Sequence, residues 1–266
     1  MERVHLFEFE DFDWVPRSVR DGGTDLLDLA FDRLGFYTGV APKLAAVLDA
    51  TGAERVIDLC SGGGGGTLSA WRLLPSSLRE RVSLTLTDRH PNAAGIARVE
   101  ALSDPRVHYA PHRVDAMQGG GDEPGVRTMS GALHHFTPDA VKELIAAVVA
   151  RRAPLVFFDV AASPALRGAP LAVAPVAMAL NMTTLFAVSL LLVPFARPFR
   201  LSRVLFTYAL PAIPALVAWD GTVSALRAYA PDEVLALARS VPGAERYAWE
   251  AGVEGRALYL TGVPRD

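Results

Sequence analysis

Four aspartates close apolar runs in this 266-residue chain. Asp58 follows Val56 and Ile57, Asp88 follows the alternating run 81–87, Asp115 ends the run 107–114, and Asp159 follows the compact run 155–158. Between the first two lies an unbroken glycine stretch, residues 62–66, and then a helical reading over 67–74. Glycines let a backbone approach a bound group closely, and a helix that opens behind them offers free N–H groups. A strand-end carboxylate, a glycine turn and a helix start together describe a nucleotide-binding device. Neither phosphate-loop fingerprint fits, because no Gly-Lys-Ser/Thr closes the loop and dinucleotide spacing is absent. A flexible glycine linker is the plain alternative, and the apolar strand before it speaks against that. A single strand-end carboxylate can be a helix cap, but four in register are harder to explain so.

His134 and His135 are the side chains suited to moving a proton near neutral pH. Adjacent loop residues cannot both face one site, so at most one would serve as a base; a structural role for both is the other reading. His108 and His112 imitate metal spacing, but Pro111 stands between them and no carboxylate pair is near. No metal is expected.

These residues need strands and helices to hold them. Helical spacing covers 24–34 and 42–50, the second opening at Pro42, a good first-turn residue. Strands are expected at 55–58, 81–87, 107–114 and 155–158, with a short segment at 126–133 and helices at 92–102, 138–148 and 231–239. Strands alternating with helices imply a parallel sheet covered on both faces, with ligands at the carboxyl ends of its strands. The tail, 247–254 and 257–263 around Gly255, reads as an edge hairpin. The division expected is an arm and helical cap over 1–50, a core of 51–160 and 231–266, and an insertion over 161–230.

A net charge of −3 gives no electrostatic case for nucleic acid. Cys60 is the only cysteine, which excludes an intrachain disulfide and agrees with a reducing, cytoplasmic setting. The acidic N-terminal segment carries no apolar core and does not read as a secretory signal.

Over residues 36–160 and 231–263 the chain resembles the class I S-adenosylmethionine (SAM)-dependent methyltransferases. Their first motif, an acidic residue, an apolar one and Gly-x-Gly-x-Gly, is matched by residues 58–64 with Cys60 in place of the first glycine. The resemblance implies a Rossmann-like α/β fold whose seven-stranded, mostly parallel sheet ends in an antiparallel hairpin. It implies SAM as cofactor. Gly62 and Gly64, with Ser61 beside them, would lie under its methionine part, and Asp58 would reach the amino group. Asp88, followed by Arg89, matches the residue that takes both ribose hydroxyls, which two carboxylate oxygens can do. Asp115 and Ala116 match the adenine contact, with Met117 as an apolar wall. The segment 130–136, opening at Ser130 and holding both histidines, resembles the fourth motif beside the methyl group. Tyr37 resembles a tyrosine brought over the cofactor from the cap.

The insertion should select the acceptor. Residues 171–196 carry no charge and are long enough to cross a bilayer; Arg197, Arg200 and Arg203 follow, then an uncharged run over 204–219 broken by Pro211 and Pro214. Both ends of the insertion join one sheet, so spanning would need an even number of crossings, with the arginines on the far side, against the positive-inside tendency. Three readings stand: a lid over a lipophilic small molecule, an element in the membrane surface, or a homodimer interface through 171–218. Trp219, Asp220, Ser224 and Arg227, together with Thr222, would line the acceptor pocket, Arg227 pairing with a carboxylate; a turn at Asp220–Gly221 bridged by Arg227 is the alternative. The expectation is a methyltransferase acting on a small lipophilic acceptor, at oxygen. The rival is a non-catalytic scaffold or membrane-associated assembly subunit with the same fold; a nicotinamide oxidoreductase fits less well.

Overall fold

The computed structural model describes every residue except 1–2, 13, 164–165, 167–169, 171, 197–198 and 266. Arg197 and residue 171 of the apolar run therefore lie outside the described residues. The chain divides into two compact units. Residues 36–160 and 229–266 form one, and residues 1–35 with 161–228 form the other. The line falls differently from the expected three-part division, because the helix at 41–51 groups with the sheet and residues 1–35 group with the insertion.

The first unit is built on seven strands: β1 (Arg55–Leu59), β2 (Ser83–Leu86), β3 (Val107–Tyr109), β4 (Val126–Ser130), β5 (Leu155–Val160), β6 (Tyr247–Glu254) and β7 (Ala257–Pro264). Their order is β3-β2-β1-β4-β5-β7-β6. The first five are parallel, and β7 runs antiparallel to both β5 and β6. The C-terminal hairpin is thus as expected, with β7 inside the sheet and β6 at its edge. β1 is followed in sequence by β2 on one side and flanked by β4 on the other, so the connections part at its carboxyl end. That is where an open α/β sheet leaves a crevice for a ligand.

The sequence explains the layers. Val56, Ile57, Met129, Leu155, Val156, Phe157 and Phe158 are buried, as continuous apolar strands covered on both faces must be. Around them pack α2 (Ala41–Thr51), α3 (Gly65–Arg72), α4 (Ser76–Arg81), α5 (Ala93–Glu100) and α6 (Pro138–Ala150), with a later helix at Pro231–Ser240. α2 has Pro42 in its first turn and stops at Gly52, whose φ of 63° suits glycine. α6 opens on Pro138 behind Thr137, whose hydroxyl accepts from Ala140 N–H. Its buried face, Val141, Leu144, Ile145 and Val148, meets Leu59, Met129 and Phe157 in one cluster. Two expected strands come out shorter. Residues 76–81 form α4, which delays β2, and β3 stops before Pro111, which has no N–H to continue a ladder.

The second unit is helical: α1 (Arg17–Arg33), α7 (Ala174–Leu192), α8 (Leu201–Val204) running into a π-type turn at Leu205–Ala209, and α9 (Ala212–Arg227); Pro231–Ser240 in the sheet unit is α10. α1 begins straight after Pro16 and is longer than the expected 24–34. A Cβ on Gly22 would fall 2.4 Å from Ile213, and one on Gly23 3.0 Å from Leu216. These mid-helix glycines let α1 approach α9 closely, which offsets their low helix propensity. The resulting core joins Val15, Val19, Leu26, Val193, Ile213, Leu216 and Val217.

Candidate functional site

Asp58 sits near the carboxyl end of β1, only 1 % exposed. Thr67 Oγ1 and Thr128 Oγ1 donate to its Oδ1 at 2.5 and 2.8 Å, and Ser61 Oγ donates to Oδ2 at 2.5 Å. The carboxylate therefore ties the glycine loop, the start of α3 and β4 together. Burial pushes its carboxyl up to about 6 against the pull of the three hydroxyls. Between the ordinary aspartate range and pH 6 the native state keeps a proton that the unfolded chain releases, so stability from this group falls as pH rises through that window. The cost at neutral pH is on the order of 3 kcal/mol. Asp58→Asn should melt like the wild type below pH 4 and higher than it above pH 6. Parallel melting curves across that range would count against the burial cost.

The loop that follows is held from its far side. Cys60 takes φ 55°, a left-handed conformation that a glycine would adopt without strain. Gly62 N–H donates to Asp88 Oδ2 at 2.8 Å, and Tyr109 OH donates to the Gly62 carbonyl at 2.7 Å. Arg98 reaches the Gly63 carbonyl at 3.2 Å. Asp88 Oδ1 accepts from His90 N–H at 2.7 Å, so each oxygen of this half-buried carboxylate takes one backbone donor and keeps further acceptor capacity. A Cβ at Gly62 or Gly131 would meet nothing within 4 Å. The space above both is open, a cradle beside the strand ends. Arg89 next door is exposed.

Ser130 closes β4, and its buried hydroxyl has no hydrogen-bond partner among the described residues. A Cβ on Gly66 would fall 1.8 Å from that oxygen and 3.2 Å from Tyr37 OH. Gly66 therefore brings the start of α3, Ser130 and Tyr37 together. Tyr37 is buried, with its ring edge-on to Phe158 at 6.0 Å. Gly66→Ala should lose ligand binding and several degrees of melting temperature, and adding Ser130→Gly should restore part of both; no rescue would mean that the clash lies elsewhere. Asp115 is not at a strand end, as β3 stops at Tyr109. It caps a short 3-10 turn, accepting from Met117 N–H at 3.0 Å, with Ala116 buried and Met117 against the core.

His134 is held twice by Asp159, which donates nothing and accepts from both. The His134 N–H reaches Oδ2 at 2.6 Å and Nδ1 lies 2.7 Å from Oδ1. Asp159 is 1 % exposed and His134 4 %. His135 is less buried and lies 4.2 Å from His134, ring centre to ring centre. The sequence marked Asp159 as a strand end but did not reveal its pairing with His134. Arg127 was missed altogether. Fully buried, it donates to the carbonyls of Gly119, Gly121, Glu123 and Gly125 and so shapes the glycine-rich loop before β4. A lone arginine in an apolar strand was the available signal.

No protein-family model matches the sequence, and no curated protein matches it. Solved structures do. An O-methyltransferase family protein from Burkholderia thailandensis aligns at TM-score 0.54 and 15 % identity over 98 % of this chain and 64 % of its own. The plantazolicin methyltransferase BpumL, solved with SAH, aligns at 0.57 and 8 % over 96 % and 91 %. NcsB1, an O-methyltransferase of neocarzinostatin biosynthesis solved with SAM and 2-hydroxy-5-methyl naphthoic acid, aligns at 0.52 and 16 % over 97 % and 61 %. The chain thus spans less than two thirds of the length of the first and third. The strand order, the hairpin and these alignments decide one point. The chain has the class I methyltransferase fold.

In this methyltransferase fold the sheet unit gathers Tyr37, Asp58, Ser61, Gly62, Gly64, Asp88, Ser130 and the His134–Asp159 pair at or next to the carboxyl ends of β1, β2, β4 and β5. The four residues expected to line an acceptor pocket are placed otherwise. Asp220–Gly221 is not a turn but the middle of α9. Asp220 accepts from Phe9 and Glu10 N–H at 2.7 and 3.1 Å, and burial raises its carboxyl to about 6. Arg227 pairs with Glu8 at 3.2 Å and Asp11 at 3.1 Å. Ser224 donates to Glu8 Oε1 at 3.1 Å, and Trp219 Nε1 donates to the Phe7 carbonyl at 3.0 Å. All four fasten the N-terminal arm to α9, and the carboxylates that Arg227 meets are the chain's own.

Proposed function

We propose that the protein is a cytoplasmic SAM-dependent methyltransferase that methylates a small lipophilic acceptor at oxygen. The observation that carries this reading is Asp88, with both oxygens anchored yet not saturated, beside the open cradle over Gly62. A pair of vicinal ribose hydroxyls suits that carboxylate. Ser130, with a buried hydroxyl in need of a partner, lies against Gly66 at the start of α3. Asp58, through its hydroxyl-bound carboxylate, sets negative charge beneath the place where the methionine ammonium would rest. Asp115, Ala116 and Met117 would hold the adenine, Tyr37 would cover the cofactor, and Arg89 flanks it from the exposed side. SAM would supply a methyl group on a sulfonium, ready for in-line displacement. Cys60, in the same loop, would lie near that electrophile, and burial with the neighbouring Asp88, Asp58 and Asp115 pushes its thiol up to about 12. It stays protonated and is a poor rival nucleophile.

For a hydroxyl acceptor a base is needed, and His134 is the candidate. Asp159 fixes the ring through Nδ1, so Nε2 would take the acceptor's proton. His135, which Asp159 does not orient, is the weaker candidate. The aromatic acid bound to NcsB1 favours a phenol or aromatic acid as the acceptor class. Isothermal titration tests the reading: SAM or SAH should bind stoichiometrically, and absence of heat and of any SAM-dependent thermal shift would overturn it. The scaffold alternative is favoured by the exposed apolar helix of the second unit. Turnover of SAM with lipophilic phenols and acids would exclude it.

A further inference from the structure

The helical unit carries a long apolar surface. Among the described residues, Ala174–Phe195 is the one single helix long and apolar enough to cross a bilayer, and only 11 % of its most apolar window is buried. Along α7 the exposed positions are 175, 176, 179, 180, 183, 184, 187, 188 and 191, with 172 and 173 exposed just before it, a stripe at helical spacing. The opposite side packs on α9, where Gly221 makes room for Leu185 and Asn181 donates to Thr222 at 2.9 Å.

The polar atoms on this surface are already satisfied. Thr183 and Thr184 donate to the carbonyls of Ala179 and Leu180, each at 2.8 Å. Tyr208, 51 % exposed, donates to the Leu190 carbonyl at 2.6 Å. Such back-bonding is ordinary for threonine in a helix, and it means that covering this face would strand none of these hydroxyls.

We propose that this face docks against the same face of a second copy of the chain, in a two-fold dimer whose axis passes near Thr183. Ala179, Thr183 and Ala187, four residues apart, let two α7 helices approach closely there, while Val176, Leu180, Val188 and Leu191 flank the crossing. A two-fold contact needs only one self-complementary patch. With Val173, Phe195 and Tyr208 at its ends, and each scaled by its exposure, this face offers on the order of 900 Å², comparable with the ~800 Å² per partner of a standard interface. A bilayer fits less well. α9, packed along α7, carries the buried Asp220 and Arg227, which bars the pair from hydrocarbon. The described arginines beyond α7 are bound to carboxylates of α1: Arg203 to Asp25, and Arg200 to Asp25 and Asp21 at 3.7 and 3.9 Å. They add no net positive charge for anionic headgroups.

Light scattering on the full chain in detergent-free buffer should give a dimer. Leu180→Glu with Leu191→Glu should give a monomer that keeps its circular dichroism spectrum. Thr183→Cys should form a disulfide-linked dimer under mild oxidation; this reads the same contact if the double variant fails to fold. A wild-type monomer, a dimer that persists in the folded double variant, or no cross-link at Thr183→Cys would each overturn the proposal. So would a wild-type monomer that floats with phosphatidylcholine–phosphatidylglycerol vesicles, which would assign the face to a membrane. None of these readouts depends on SAM binding.

Discussion

Asp88→Ala should raise the dissociation constant for SAM and SAH by about 100-fold or more in isothermal titration. Each carboxylate oxygen already accepts one backbone N–H, from Gly62 at 2.8 Å and from His90 at 2.7 Å. Those bonds fix the plane of the carboxylate, and the remaining lone pairs would receive the two ribose hydroxyls. Hydrogen bonds to a charged group contribute about 1.5–3 kcal/mol each, and a loss of ~3–6 kcal/mol from two of them corresponds to roughly 10²–10⁴ in affinity. The same substitution frees Gly62 N–H and loosens the cradle, which adds to the loss. Asp88→Asn keeps one acceptor oxygen, so its affinity should fall between the two. If Asp88→Ala binds within threefold of the wild type, the ribose assignment fails. A melting curve on each variant separates this from loss of fold.

The glycine loop was legible because its parts are local. A buried strand, a carboxylate and a glycine run are adjacent in sequence, and strand end, turn and helix N-terminus are formed by the same ten residues. Asp88 was legible for the same reason, at the end of an alternating strand. What the sequence concealed depends on contacts across long separations. Tyr109 supports Gly62 from 47 residues away, and Arg127 gathers four carbonyls of a loop that carries no periodic signal. Asp159 pairs with His134 at a separation of 25 residues, and only the neighbouring positions of β4 and β5 bring them together. The same limit misread Trp219, Asp220, Ser224 and Arg227. A polar cluster between apolar runs looks like a pocket lining, yet it met an N-terminal arm more than 200 residues earlier in the chain. Helix boundaries were missed where one signal outweighed another: Pro211 breaks the second apolar run, but Pro214 sits in the first turn of α9 and does not.

Replacing His134 should cost heavily in turnover while leaving cofactor affinity intact. Asp159 holds the imidazole through both its backbone N–H and Nδ1, so the ring is oriented before an acceptor arrives. General-base assistance contributes about 10²–10⁴ in rate. His134→Ala should therefore lower kcat with a phenol by that factor, while the dissociation constant for SAH changes less than threefold. His135→Ala should leave kcat within threefold, because Asp159 orients the ring of His134 and not that of His135. Asp159→Asn should resemble His134→Ala in kcat, since an amide no longer favours the proton on Nδ1. The acceptor's chemistry provides the control. A carboxylic acid is already ionised at neutral pH and needs no base, so with an acid acceptor the same His134 variant should turn over at close to the wild-type rate. Equal losses on phenol and acid would assign His134 to shaping the site. An undiminished kcat on the phenol would remove it from the chemistry, because a hydroxyl proton must then leave by another route.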